Sequence, residues 1–161
     1  MRVFLIIGAC GSGKTWLMKQ LIKDFKLDTL GKVGMFYFHR NDKMVALGKY
    51  DGSTFEGSDK LSMAVMRDLP EFKKYAKGKI VVCEGDRFMN STFIKGMTPN
   101  ISIITILDDG SKGRKKRKSS QTERQIKSVN TRVSKLLKQS KAQCMDSAAA
   151  YSVLKDLIKE V

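Results

Sequence analysis

The sequence predicts an α/β fold, a parallel sheet wound by helices on both faces. Apolar runs of strand length alternate with helical periodicities along the chain, the order such a fold requires. The runs over 79–84 and 101–107 are apolar almost throughout, which suits strands covered on both sides. A glycine-rich loop joins the first apolar run to the first helical segment, giving a strand–loop–helix unit. With 161 residues, no internal repeat and no linker-like stretch, residues 1–161 read as a single domain.

The first strand is Val3-Phe-Leu-Ile-Ile7. It is too short to span a membrane and reads as a buried strand rather than a signal peptide. The loop Gly8-Ala9-Cys10-Gly11-Ser12-Gly13-Lys14-Thr15 then matches GxxxxGK[ST] at every fixed position. Leu17, Met18, Leu21, Ile22 and Phe25 follow at helical spacing. In that context glycines let backbone N–H groups curl around phosphates, and the helix directs its positive end at them. Lys14 is expected to reach the β- and γ-phosphates, and the Thr15 hydroxyl to hold Mg²⁺. Residues 8–15 are thus expected to bind a nucleoside triphosphate such as ATP.

Farther along, 33–39 reads as a second strand and 44–47 as a short one. Residues 59–69 and 71–75 read as helical, split by Pro70. The strands over 79–84 and 101–107 come next, and then a polar, basic stretch from Asp108 to Thr122. Ile126, Val129, Val133, Leu136 and Leu137 mark one face of a long amphipathic helix. Residues 142–145 suit a short last strand. Val153, Leu154, Leu157, Ile158 and Val161 mark a closing helix.

Directly after the strand over 79–84 stands Glu84-Gly85-Asp86-Arg87-Phe88. Glu84 and Asp86 are two apart, so in an extended segment they point to the same side. In this fold class ligands bind beyond the carboxyl ends of the strands. Two carboxylates and an arginine there suit phosphoryl transfer. One carboxylate can hold Mg²⁺, Glu84 being the expected metal residue beside Thr15. Another can accept a hydroxyl proton, and Arg87 can grip a substrate phosphate. Spacing alone does not assign the roles of the two carboxylates, and a charged turn closing a strand has the same composition.

The basic run Lys112-Gly-Arg114-Lys-Lys-Arg117-Lys118 lies where a phosphate-closing lid would sit, over 108–123. Arg124 and Arg132 follow on the long helix. A helix holds a side chain in place, so these two are the preferred candidates for neutralising charge on a transferred group. A solvated loop, a nuclear-localisation-like run and a basic arm adhering to DNA would look the same. The chain carries 31 Lys+Arg against 16 Asp+Glu, a net charge of +15. Such a field suits a polyanionic partner, and solubility is the competing explanation. Cys10, Cys83 and Cys144 are isolated, with no CxxC and a lone His39, which argues against zinc and a disulfide framework and for a reducing, cytoplasmic setting.

The segment Asp86-Arg87-Phe88 with Ser91 resembles the DR[YF]xxS element of thymidylate and related deoxynucleoside kinases. A longer match runs through Leu47-Gly-Lys-Tyr50-Asp51-Gly52, Phe55-Glu-Gly57-Ser58-Asp59-Lys60-Leu61-Ser62-Met63 and Glu84-Gly-Asp86-Arg87. It is similar to bacteriophage P-loop kinases that act on 5-hydroxymethyluracil in DNA. The similarity extends from the phosphate loop to the helix bearing Gln121, Arg124, Thr131 and Arg132, with a looser match and more lysine in the lid. The resemblance implies a three-layer P-loop NTPase sandwich on a parallel sheet, like that of nucleoside and nucleotide kinases, with a basic lid. It also implies ATP- and Mg²⁺-dependent phosphorylation of the 5-hydroxymethyl oxygen, the first step of thymine hypermodification, in the cytoplasm of an infected bacterium.

Under that resemblance Lys14, Asp86, Arg87, Asp59 and Arg124 are the expected catalytic residues. Arg132 joins the loop in holding ATP. Tyr50, Asp59, Lys60, Arg87 and Phe88 are expected at the substrate. A kinase of this kind must extrude its target base or use unpaired DNA. Tyr50, Phe55 and Phe88 are the candidate stacking surfaces, each equally suited to ordinary packing. Asp59 reads either as a helix N-cap or as a group at the acceptor. A deoxynucleoside monophosphate kinase shares every nucleotide-site residue. A mechanical DNA-binding ATPase would need coupling elements for which 161 residues leave little room.

Overall fold

In a computed structural model, residues 1–53, 56–116, 121–139 and 143–160 are described. Their strands are β1 (Arg2–Gly8), β2 (Thr29–Val33), β3 (Phe36–Arg40), β4 (Met44–Leu47), β5 (Ile80–Glu84), β6 (Ile101–Ile106) and β7 (Gln143–Met145). The helices are α1 (Lys14–Asp24), α2 (Leu69–Tyr75), α3 (Ser91–Met97), α4 (Ser111–Lys116), α5 (Glu123–Gln139) and α6 (Ser147–Lys159). The strands form one sheet in the order β2-β3-β4-β5-β1-β6-β7. From β4 to β7 neighbouring strands are parallel. The β2–β3 and β3–β4 pairs are antiparallel.

The fold is therefore α/β, as expected, but the sheet is mixed rather than wholly parallel. The difference arises at Gly34, inside the stretch expected to be one strand over 33–39. Its φ of 53° turns the chain back on itself, a conformation glycine adopts without steric cost. Asp68 Oδ2 accepts a hydrogen bond from the Met35 N–H at 2.7 Å and locks the turn. A Cβ at Gly34 would lie 2.3 Å from that same oxygen. Residues 29–33 and 36–40 become a hairpin at the sheet edge instead of one strand.

Side-chain alternation in the central strand builds a core on each face. Val3, Leu5 and Ile7 join Phe36, Phe38, Val45 and Val81, and are covered by Leu69 and Phe72, Phe93 and Met97, and Val129 and Val133. Phe4 and Ile6 face the other way with Ala46, Val82, Ile104 and Ile106, under Leu17, Met18 and Leu21 of α1 and Ala150, Leu154 and Ile158 of α6. Phe72 is fully buried and stacks on Phe36 with ring centroids 4.7 Å apart. Burial of a side chain that size stabilises the fold by roughly 1.5–3 kcal/mol.

Two helical expectations change. Pro70 does not split a helix but stands in the first turn of α2, where its missing N–H costs nothing. Ahead of it the chain forms two short 3₁₀ turns, Ser58–Lys60 and Val65–Asp68. The seven-residue α3 has no counterpart in the periodicity reading. Asn90 caps it by accepting the Phe93 N–H at 2.8 Å. No helix among the described residues is long and apolar enough to cross a membrane.

Candidate functional site

The glycine-rich loop leaves β1 at the centre of the sheet and enters α1 through Gly13, whose φ of 97° fits the turn. Lys14 bridges back across the loop, donating to the carbonyls of Gly8 at 3.1 Å and Ala9 at 2.7 Å. Ser12 is almost fully buried, and its hydroxyl has no hydrogen-bond partner among the described residues. Thr15 faces β5. Because β1 and β5 are in parallel register, Ile6 sits beside Glu84. The Thr15 hydroxyl therefore meets Glu84, donating to Oε1 at 3.2 Å.

Beyond Glu84 the chain turns sharply through Gly85 into a 3₁₀ turn, Asp86–Phe88. That turn packs on Ser58–Lys60, which brings Asp59 to the same opening. Asp86 Oδ2 pairs with Arg132 Nη2 at 2.7 Å, while its other oxygen is buried with no hydrogen-bond partner among the described residues. Arg132 also donates from Nε to the Ser128 carbonyl at 3.5 Å. The neighbouring Cys83 thiol is pushed well above its ordinary range by burial, with Glu84 adding to the effect. It is an inert core group.

The described residues 110–114 of the stretch expected as a lid lie against the loop. Gly110 and Gly113 touch its backbone so closely that a Cβ would fall 1.9 Å from the Cys10 carbonyl oxygen and 2.1 Å from that of Gly11, respectively. Arg114 donates to the Cys10 carbonyl at 2.7 Å. It is thus a structural clamp on the loop. Of the expected basic run, Arg117 and Lys118 lie outside the described residues, as does Phe55.

These parts surround a cavity of about 1020 Å³. Gly8, Cys10, Gly11, Gly13, Lys14 and Thr15 line its floor, Asp59, Glu84 and Asp86 one wall, and Arg124 and Arg132 another. Tyr50, Lys60, Arg87 and Phe88 do not line it. Tyr50 donates to the Leu47 carbonyl at 3.3 Å, and burial followed by the charge of Glu84 pushes its phenol well above the usual range. Lys60 leans toward Asp51 at 3.9 Å. Arg87 turns to the Leu61 carbonyl at 3.3 Å and to the Met63 sulfur. Phe88 is fully buried against Phe93, with centroids 4.8 Å apart. Asp59 lies within its 3₁₀ turn, where Gly57 holds the capping position.

The residue-by-residue reading missed Trp16, Lys19, Gln125 and Ser128 on the cavity wall, whereas Lys116 there belongs to the expected basic run. A polar stripe was present in the sequence. Arg124, Gln125, Ser128 and Arg132 share one side of α5 beside its apolar stripe, and Gln121 stands just ahead of the helix.

The donor set suits a phosphate ligand with Mg²⁺. Among the described residues no group of three or more His, Cys, Asp or Glu is arranged to hold a metal by itself. Mg²⁺ on a nucleotide needs only one or two protein oxygens besides phosphates and waters, and Thr15 and Glu84 are the residues that would supply them.

No family model matches the chain, and no curated protein matches it. Among solved structures it is similar to an uncharacterized protein from Eubacterium ventriosum ATCC 27560. The two share 15% identity over 99% of each chain, with a TM-score of 0.46.

Proposed function

We propose that the protein is an ATP-dependent phosphotransferase that phosphorylates the hydroxymethyl oxygen of 5-hydroxymethyluracil in DNA. One observation carries the phosphotransferase part: the loop lysine Lys14, the carboxylates of Asp59, Glu84 and Asp86, and the helix-borne Arg124 and Arg132 converge on a single cavity. Phosphoryl transfer is mainly positioning and charge stabilisation, and this set is suited to both. Lys14 binds the β- and γ-phosphates, and Arg124 stabilises charge on the transferred group. Thr15 and Glu84 hold Mg²⁺, which when bound neutralises phosphate oxygens. The acceptor oxygen bonds to the γ-phosphorus as the bond to the departing ADP oxygen breaks. Asp59 takes the hydroxyl proton, and Asp86, paired with Arg132, positions that arginine.

The polymeric acceptor is supported by the net charge of +15 and by the resemblance of the 47–63 and 84–87 segments to the phage kinases. A second reading, a deoxynucleoside monophosphate kinase, is favoured by the DR[YF]xxS element and by a cavity roomy enough for two nucleotides.

Incubation with labelled ATP separates them. The acceptors are DNA containing 5-hydroxymethyluracil, the same DNA containing thymine, and free deoxynucleoside monophosphates. Label on the modified DNA alone is the expected result. Efficient labelling of free monophosphates, with modified DNA ignored, would establish the second reading.

A further inference from the structure

Trp16 is the chain's single tryptophan and, among the described residues, the one aromatic side chain that lines the cavity. It remains 47% exposed although it sits in the first turn of α1, directly after Thr15. Its indole is braced from behind. Tyr151 of α6 meets it edge-on, with centroids 6.1 Å apart and planes at 61°. The Tyr151 hydroxyl is in turn fixed by Asp24, which Lys155 also holds.

Gly52 and Ser53 line the same cavity. Among the described residues, no atom lies within 4 Å of where a Cβ at Gly52 would stand. The turn is tethered to α1. Glu56 accepts the Gly52 N–H and pairs with Lys19, one helical turn beyond Trp16, at 2.5 Å. The ion pair thus ties the Gly52 turn to the helix that carries Trp16. The same segment leads through Gly57 to Asp59, the side of the cavity assigned above to the acceptor.

We infer that Trp16 is a stacking platform for a nucleobase of the acceptor strand. The inference rests on the proposed reading of the site and goes beyond it by naming the surface that receives the base. An enzyme that works on a base within a polymer must hold that base, or its neighbour, outside the stack, and an aromatic face does this for any base. Of the aromatics expected for that task, Tyr50 and Phe88 are packed away from the cavity. Trp16 offers an indole that is braced and still half-open. The strongly positive chain draws in the strand that carries the base.

A single tryptophan makes the test direct. Titration of the wild-type protein with a single-stranded oligothymidylate should quench its intrinsic fluorescence, and Mg-ATP alone should leave it nearly unchanged. By anisotropy of a labelled oligothymidylate, Trp16→Ala should bind about 5- to 150-fold more weakly, the range expected for losing one stacked base. Trp16→Phe should stay within about 3-fold of wild type, because a ring face remains. ATP affinity unchanged in Trp16→Ala shows that the site is still folded.

Quenching by Mg-ATP but not by the oligonucleotide would overturn the inference, as would unaltered oligonucleotide affinity in Trp16→Ala. The proposed activity fails separately. If modified DNA is never phosphorylated while the oligonucleotide still quenches Trp16 and Trp16→Ala still weakens binding, the platform stands and the kinase reading falls.

Discussion

Arg132 on α5 reaches Asp86 in the turn after β5, Nη2 to Oδ2 2.7 Å, and so ties the helix after the basic stretch to that turn. Both side chains are more than a third exposed, so the pair contributes little to stability and more to geometry. Asp86→Asn and Glu84→Gln keep shape and remove charge. Each should lower turnover by about 10²-fold or more, Glu84→Gln through loss of a Mg²⁺ ligand and Asp86→Asn through release of Arg132. Steady-state kinetics on both variants decides the matter. Normal turnover in both would reduce the 84–88 segment to a structural turn.

Lys14→Ala removes the cation that spans the loop carbonyls of Gly8 and Ala9. Phosphoryl transfer should be abolished, while the circular dichroism spectrum and thermal midpoint stay close to wild type. A folded variant with near-normal turnover would show that the loop does not serve a triphosphate.

Gly113→Ala places a methyl group 2.1 Å from the Gly11 carbonyl oxygen. Either α4 or the loop must move. Overpacking of this kind costs about 1–3 kcal/mol, which corresponds to about 5- to 150-fold weaker ATP binding by calorimetry if the loop yields. Unchanged affinity together with unchanged stability would mean that the two segments part at no cost.

Lys112, Lys115 and Lys116 are the lysines of α4. Changing all three to glutamine, with Arg114 left on the Cys10 carbonyl, should flatten the salt dependence of DNA binding. Each lost phosphate contact removes about 0.7 from the slope of log K against log[salt] on single strands, so the full effect is about 2. ATP binding should persist. An unchanged slope would place the DNA backbone elsewhere.

His39 accepts the Tyr50 N–H on Nε2 at 3.3 Å, which requires that nitrogen unprotonated. Burial holds its pKa below the ordinary 6.5, against the opposing effects of a Leu27 backbone hydrogen bond and Asp51. The unfolded chain therefore takes up the proton first. This contribution to stability is complete above pH 6.5 and is lost as pH falls through the folded-state value. Urea midpoints should drop across that window in the wild type, and His39→Gln should flatten that part of the decline. An identical decline in the variant would assign it to other groups.

Spacing made the glycine-rich loop legible, because every fixed position of GxxxxGK[ST] falls within eight consecutive residues. The apolar runs of β1, β5 and β6 and the stripe of α5 were equally plain, since a core-facing side chain repeats with the period of its own backbone. Local periodicity did not expose the hairpin, because Gly34 interrupts a run that otherwise reads as one strand. Nor did it expose α3, which is only seven residues long and rests on its Asn90 cap.

By itself, then, the sequence determined an α/β chain with a glycine-rich GxxxxGK[ST] loop at the end of its first strand and a large positive charge. Tertiary structure alone decided which groups share the cavity. Asp86 faces Arg132, whereas the adjacent Arg87 turns to Leu61. Tyr50 and Phe88 pack inward, and Trp16 is left open. The physical reason is range. A backbone period fixes the side of an element on which a residue lies, but its partners depend on how distant segments pack against that side.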